Sequence, residues 1–211
     1  MKVLLMGNPN VGKSALFSRI TGARVTISNY PGTTVEFTRG HLKIGENQVE
    51  VIDVPGTYTL EPTSRAEEVA VEMLKEGDIV INVVDATNLE RNLDLTLQLL
   101  EKKVPMMVAL NMWDDTKHRG INIDVRKLEG LLGVPVVPTV AVTGQGVKEL
   151  INRLSDAAIS ESSLVSREER WTNIGNMVGQ VQSLSHRHHT WLERIADVSV
   201  HPVGGLFIAA V

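Results

Sequence analysis

Gly7-Asn8-Pro9-Asn10-Val11-Gly12-Lys13-Ser14 stands directly after the apolar run 2 to 6 and directly before the amphipathic stretch 15 to 21. This is G-x-x-x-x-G-K-[ST] in the strand, loop, helix setting that a phosphate-binding loop requires. Gly7 and Gly12 let the backbone turn so that its N–H groups face an anion, and the helix that follows adds its positive N-terminus. Lys13 is placed to reach β- and γ-phosphates, and Ser14 to ligate magnesium. The whole loop, including Asn8, Pro9, Asn10 and Val11, together with Ala15 after it, is therefore expected to hold a nucleoside triphosphate. A glycine-containing turn without a ligand would not need strand, spacing and Lys-Ser to agree.

Outward from this loop, short β-branched runs alternate with helix-period segments as far as about residue 158, the pattern of an α/β sheet with crossover helices. Strands are expected near 2–6, 36–44, 48–53, 78–84, 104–110 and 135–139. Helices are expected near 13–21, 64–76, 90–102, 124–132 and 146–158. The runs 36–44 and 48–53, joined by Gly45-Glu46-Asn47, read as an antiparallel hairpin on an otherwise parallel sheet. From Ser160 the texture becomes polar with spaced apolar residues. The domains expected are 1–159 as the nucleotide-binding unit, 160–200 as a short helical tail and 201–211 as the start of a membrane segment.

The 211 residues suffice for one full core plus an appendage. Lys and Arg total 21 against 25 Asp and Glu, with no basic block, so nucleic acid is not an expected partner. There is no Cys, which excludes disulfides and thiolate metal sites and fits a reducing cytosol. The chain opens at once on a strand, so no signal peptide is expected. No apolar run reaches bilayer length, but Gly204-Gly205-Leu206-Phe207-Ile208-Ala209-Ala210-Val211 reads as the first part of a span.

Kinases, ATPases and GTPases share the phosphate loop, so other boxes must separate them. Asn111-Met112-Trp113-Asp114 follows the run 104–110, where a carboxylate can accept from both the ring N1–H and the exocyclic amine of guanine. Adenine offers no such pair. Asp114 is thus expected to set guanine specificity while Asn111 braces loop and base. Asp53-Val54-Pro55-Gly56 supplies an Asp that holds magnesium through water, and a glycine N–H for the γ-phosphate. Between these boxes lies Asn29-Tyr30-Pro31-Gly32-Thr33-Thr34; Thr34 is the candidate switch threonine for magnesium, with Thr33 its neighbour and competitor. Such a loop orders around the γ-phosphate. After Gly56 comes Thr57, too short to orient the attacking water as a Gln there does. Catalysis then falls to Lys13, Thr34, Gly56 and Asn10, whose amide oxygen can help hold a monovalent cation against the phosphates.

With these boxes in place the sequence resembles the cytosolic GTPase domain of the bacterial ferrous-iron transporter B (FeoB) family. The resemblance covers residues 1 to about 154 and rests on the phosphate loop, on Asn-Tyr-Pro-Gly-Thr-Thr-Val at 29–35 and on Asp-Val-Pro-Gly-Thr-Tyr-Thr-Leu at 53–60. It rests further on Val83-Val84-Asp85-Ala86-Thr87-Asn88-Leu89-Glu90-Arg91-Asn92-Leu93, on Asn111-Met112-Trp113-Asp114 and on His201-Pro202-x-x-Gly205 near the end. It implies a Ras-like P-loop GTPase fold, a mostly parallel six-stranded sheet with one antiparallel edge strand, followed by a helical tail. It also implies a slow GTPase with weak guanine-nucleotide binding, coupled to Fe²⁺ uptake and stimulated by potassium. GTP and GDP would be its ligands, and its own transmembrane iron-permease domain its partner at the inner membrane. Mg²⁺ would be held by Ser14, Thr34 and Asp53; K⁺ by Asn10 with carbonyls around Ser28 and Tyr30. The sequence departs from the pattern at Thr33, where Val is usual, and in a helical region after Ser160 about half the usual size. It also departs at Val140-Ala141-Val142, which lacks the usual serine, though Ala141 retains an N–H for guanine O6.

Three features remain. His186, His188 and His189 invite a metal reading, but two imidazoles on one helical turn without carboxylates make a poor site, and a solvated face is the simpler account. Trp113, Trp171 and Trp191 read as packing or interfacial anchors. Trp171, Ile174, Val178, Val181, Ser185, His188, Leu192 and Ile195 recur at spacings of three and four, which predicts a helix over 167–198. That seam would pair with a second copy of the chain, a dimer, or fold back on its own domain. The rival function is a soluble GTPase of ribosome assembly or tRNA modification, a class that usually appends a basic RNA-binding domain.

Overall fold

Val3 to Met6 are fully buried, and the strand they form lies at the centre of the sheet that positions everything else. The computed structural model describes residues 1–22, 25–161 and 166–185. In chain order the strands and helices are β1 (Lys2–Gly7), α1 (Lys13–Thr21), β2 (Val25–Asn29), β3 (Glu36–Ile44), β4 (Asn47–Asp53), α2 (Arg65–Leu74) and β5 (Ile79–Asp85). They continue as α3 (Leu89–Glu101), β6 (Met106–Asn111), α4 (Trp113–His118), β7 (Ile121–Ile123) and α5 (Val125–Leu132). The last are β8 (Val136–Pro138), α6 (Val147–Asn152), α7 (Arg167–Val181) and β9 (Gln182–Leu184).

The main sheet has seven strands in the order β2-β3-β4-β1-β5-β6-β8, and β7 and β9 form a separate pair. Strands β4, β1, β5, β6 and β8 run parallel, whereas β2–β3 and β3–β4 are antiparallel. Because β1, β5 and β6 are covered on both faces, they read as unbroken apolar runs rather than alternating ones. One face packs against α2, α3 and α5 around Leu4, Met6, Leu93, Leu100 and Leu110; the other packs against α1 and α6 around Leu5, Leu16, Ile81, Met107 and Leu150. A parallel sheet of this kind presents its ligand crevice at the carboxyl ends of the strands, and β1, β4 and β6 end at Gly7, Asp53 and Asn111.

The expected α/β fold, its order and its hairpin agree with the structure; the turn of the hairpin is Gly45-Glu46, with Gly45 at φ 60°. Four details differ. The sheet has a seventh strand, β2, whose residues lie mostly exposed at the edge, so no buried face imposes an alternating pattern on the sequence. The helix expected over 146–158 stops at Asn152 and gives way to a 3-10 turn, because Ala158 is needed as a bridge partner of Met106. The six-residue α4 and the pair β7–β9 were too short to show a period.

The fourth difference is in the tail. The helix expected over 167–198 ends at Val181, and the chain turns extended to pair with β7. Within it Ile174 and Val181 are buried against the chain's own domain, where α7 packs on α3 and α5. The first half of the seam therefore faces inward, while Trp171 remains 42% exposed. His186, His188, His189, Trp191, Leu192, Ile195 and the segment 201–211 lie outside the described residues.

Candidate functional site

The phosphate loop is built from backbone shapes that few side chains tolerate. Gly12 has φ 81°, and a Cβ there would stand 2.4 Å from Asn111 Nδ2. A Cβ on Gly7 would stand 2.4 Å from the Val83 carbonyl, so the loop leaves the sheet at a point where only hydrogen fits. Asn10 takes φ 66°, a left-handed conformation that Asn adopts more readily than most residues. Its side chain is exposed at the rim of a cavity of about 370 Å³ that the loop encloses together with Ala15 and Gly56.

Three expected residues meet here, of which Lys13 and Ser14 line the cavity. Lys13 Nζ pairs with Asp53 Oδ1, and Ser14 Oγ donates to Asp53 Oδ2 at 2.8 Å. Lys13 and Asp53 side chains are only 11% and 9% exposed, so the pair is weakly screened. One carboxylate, one hydroxyl and an ammonium is the donor set that binds a magnesium–phosphate unit, since Mg²⁺ takes few protein oxygens and completes its shell with water and phosphate. Among the described residues no cluster of three or more His, Asp or Glu forms an all-protein metal cage. Gly56 closes the other side, where a Cβ would come within 3.2 Å of Pro9.

The base box is braced by one side chain. Asn111 Nδ2 donates to the Val11 carbonyl at 2.8 Å, while its Oδ1 accepts from Ala141 N–H at 2.9 Å and from the Thr139 hydroxyl at 3.2 Å. Phosphate loop, base box and last box are thereby locked together around a residue 2% exposed. Ala141 N–H, the group expected to meet guanine O6, donates here to Asn111. The loop it belongs to is closed by Val140 N–H donating to the Gln145 carbonyl at 2.9 Å, and Arg19 grips the carbonyls of Ala141 and Val142. Met112 at φ 59° turns the chain so that Asp114 stands exposed in the first turn of α4, free to face a base.

The switch loop lies elsewhere. Tyr30 N–H donates to the Val35 carbonyl at 2.9 Å, and Thr33 returns both its N–H (3.0 Å) and its hydroxyl (2.9 Å) to the Tyr30 carbonyl. Tyr30 and Pro31 face a pocket with Leu4, Phe37, Ile52 and Met73, on the sheet rather than over the phosphate loop. Neither Thr33 nor Thr34 lines the phosphate cavity; Thr34 is exposed and Thr33 is committed to the turn. Both acceptor positions of the Tyr30 carbonyl are filled, and Ser28 sits in the β2–β3 ladder opposite Phe37.

Several residues of this region carry no motif signature. Glu67 closes a capping box on Ser64; the Thr63 N–H and hydroxyl, and then Ser64, hold its carboxyl below the usual range. Its Oε1 stands 3.4 Å from the Thr57 hydroxyl. Ser64-x-x-Glu67 was a legible helix-start signal; nothing in the sequence tied it to Thr57. Thr139 and Arg19 were likewise invisible, because their partners, the Asn111 side chain and the carbonyls of Ala141 and Val142, lie far along the chain.

Fold and site together define a phosphate-loop domain of the GTP-binding class. The chain belongs to the ferrous iron transport protein B family, whose model matches residues 1–154. It is 47% identical over 157 residues to the Fe(2+) transport protein A/Fe(2+) transporter FeoB fusion protein of Porphyromonas gingivalis, covering 73% of this chain and 19% of the relative. The chain thus spans about a fifth of the length of that relative. The cytosolic domain of L. pneumophila FeoB superposes with TM-score 0.81 at 33% identity, covering 87% of this chain and 100% of that one. An S. thermophilus NFeoB mutant bound to GDP superposes with TM-score 0.79 at 29% identity, again over 87% of this chain and 100% of that one. Among the described residues no helix is long and apolar enough to cross a membrane.

Proposed function

We propose that this chain is the guanine-nucleotide-binding and GTP-hydrolysing domain of a ferrous-iron transporter, acting on a membrane permease domain outside this sequence, on the cytoplasmic side of the cell membrane. The observation that carries the reading is the junction of Lys13, Ser14 and Asp53 at the end of β1 and β4, braced to the base box by Asn111. A relative of the same fold binds GDP, and the family is that of ferrous iron transport.

In this reading Lys13 would exchange Asp53 for the β- and γ-phosphates, and Ser14 and Asp53 would hold Mg²⁺, which would supply charge neutralisation at the phosphates. The backbone N–H groups of residues 8–15 and Gly56 fix the phosphate oxygens. Asp114 accepts from the two guanine donors, so GDP and GTP bind and ATP is rejected. Thr34 must move from its exposed position to join the magnesium, and its freedom from any turn favours it over Thr33. Hydrolysis is slow because Thr57 is too short to orient the attacking water and its buried hydroxyl is committed to the Thr59 carbonyl. Potassium stimulates it through Asn10, exposed at the cavity rim. A dimer through the tail would require α7 to leave its own domain or to be exchanged between copies; light scattering decides.

Titration with labelled GDP, GTP and ATP tests the reading, with hydrolysis followed in K⁺ and in Na⁺. Guanine nucleotides bind at roughly micromolar affinity, about −8 kcal/mol, and ATP does not; Asn10→Ala loses the potassium response and keeps GDP. Equal affinity for ATP and GDP would overturn the guanine assignment, and equal rates in K⁺ and Na⁺ the potassium one.

A further inference from the structure

The segment after Gly56 is held by a side chain that belongs to no nucleotide motif. Thr59 Oγ1 donates to Gln98 Oε1 at 2.9 Å, and the Leu60 N–H donates to the same oxygen at 2.8 Å. Gln98 lies on α3 and is 4% exposed. At the other end of the segment, Thr57 N–H donates to the Gly7 carbonyl at 3.2 Å and its hydroxyl to the Thr59 carbonyl at 2.6 Å. Residues 57–60 are therefore pinned between the phosphate loop and one buried amide.

An amide can turn either end toward a partner, and only one end accepts. Asp94, one turn earlier on α3, removes the choice: Gln98 Nε2 donates to Asp94 Oδ2 at 3.0 Å, and a carboxylate has nothing to donate back. The Gln98 oxygen must then face Thr59 and Leu60. The other Asp94 oxygen accepts from Arg170 Nε at 2.8 Å. Arg170 is on α7 and is 5% exposed, with Glu101 at 3.8 Å and Glu61 at 3.9 Å from its remaining nitrogens. A guanidinium this buried persists only when paired, so docking of α7 and orientation of Gln98 are parts of one arrangement.

We infer that Gln98, oriented by Asp94 and Arg170, is a positioning residue for GTP hydrolysis: it fixes the segment 57–60 and with it the Gly56 N–H that meets the γ-phosphate. The inference rests on the GTPase reading above and extends it to the tail. None of these three residues lines the phosphate cavity or belongs to the base box, so their loss leaves GDP binding intact and lowers turnover.

The test uses the full chain and the variants Gln98→Met, Arg170→Met, Arg170→Lys and the double variant Asp94→Asn/Arg170→Met. Three quantities are read: labelled-GDP affinity, kcat and KM for GTP, and amide hydrogen exchange at Leu60. Gln98→Met and Arg170→Met should lower kcat about tenfold with KM and GDP affinity within about twofold, and Leu60 should exchange faster. Arg170→Lys, which keeps the charge beside Asp94, should recover part of both. The double variant should be no worse than Arg170→Met, since both act through one path. Unchanged Leu60 exchange in folded Arg170→Met or in the folded double variant would overturn the link to the tail. Faster exchange with unchanged kcat, or a fall in kcat matched by an equal loss of GDP affinity, would overturn the positioning role. A parent that binds GDP but does not hydrolyse GTP would overturn the GTPase reading itself, a different failure.

Discussion

The two halves of the nucleotide site are built differently. Around Asn111, the phosphate loop, base box and last box are tied by three hydrogen bonds from one buried side chain, and the backbone there approaches too closely for a Cβ at Gly12. The loop 30–35 makes its bonds to itself and rests on the sheet face away from the phosphate cavity. A part that recognises what GDP and GTP share has no reason to move between them, and can be prebuilt. A part that recognises the γ-phosphate must have a second resting place, and the turn closed by Thr33 on Tyr30 provides one.

The largest effect should come from breaking the prebuilt half at its hub. Asn111→Ala removes three hydrogen bonds and leaves the Val11 carbonyl and the Ala141 N–H unpaired. A loss of about 3 kcal/mol or more in GDP affinity, roughly a hundredfold, is expected, with a lowered melting temperature. Calorimetry and labelled-GDP titration check both. Gly12→Ala should follow closely. Its methyl needs the space of Asn111 Nδ2 in a left-handed backbone, a cost of about 2 kcal/mol before any loss of phosphate contacts, read as a drop in thermal stability.

The switch half sharpens the comparison by its smaller and separable responses. Thr34→Ala should lower kcat about tenfold while GDP affinity stays within about twofold. Thr33→Ala should cost much less activity, because its hydroxyl serves the Tyr30 carbonyl and the Val35 N–H rather than a ligand. The reverse order would move the magnesium ligand one residue back.

The smallest effect concerns the strand that presents the last box. Burial acts to raise the Glu129 carboxyl, but its bonds from Arg153 and from the Val136 N–H outweigh that and leave it below the usual carboxylate value. A carboxyl lowered on folding contributes stability above its unfolded value and loses that contribution as pH falls through the folded one. Thermal stability should therefore decline below about pH 4.5, and Glu129→Gln should flatten that decline. At these partly exposed side chains the whole effect stays under about 1 kcal/mol.

The halves also differed in legibility. Gly7 to Ser14, Asp53 to Gly56 and Asn111 to Asp114 announce themselves because each needs particular residue types at fixed spacing, and parallel strands buried on both faces are unbroken apolar runs. The edge strand Val25–Asn29 was silent because little of it is buried. The bond from Ala141 N–H to Asn111 was silent as well, because its partner is thirty residues away and no local pattern encodes it. The tail was half legible. The spacing of Trp171, Ile174, Val178 and Val181 showed an amphipathic helix, but nothing in it said which surface the helix would meet. Arg170, the residue that fixes that choice through Asp94, looked like any surface charge.

Amide hydrogen exchange compared between the GDP-bound chain and the chain with Mg²⁺ and a non-hydrolysable GTP analogue tests the two-part account most directly. Protection should change at residues 30–35 and 56–60, and stay the same at Val11, Asn111 and Ala141. Equal changes in both sets, or no change at 30–35, would contradict it.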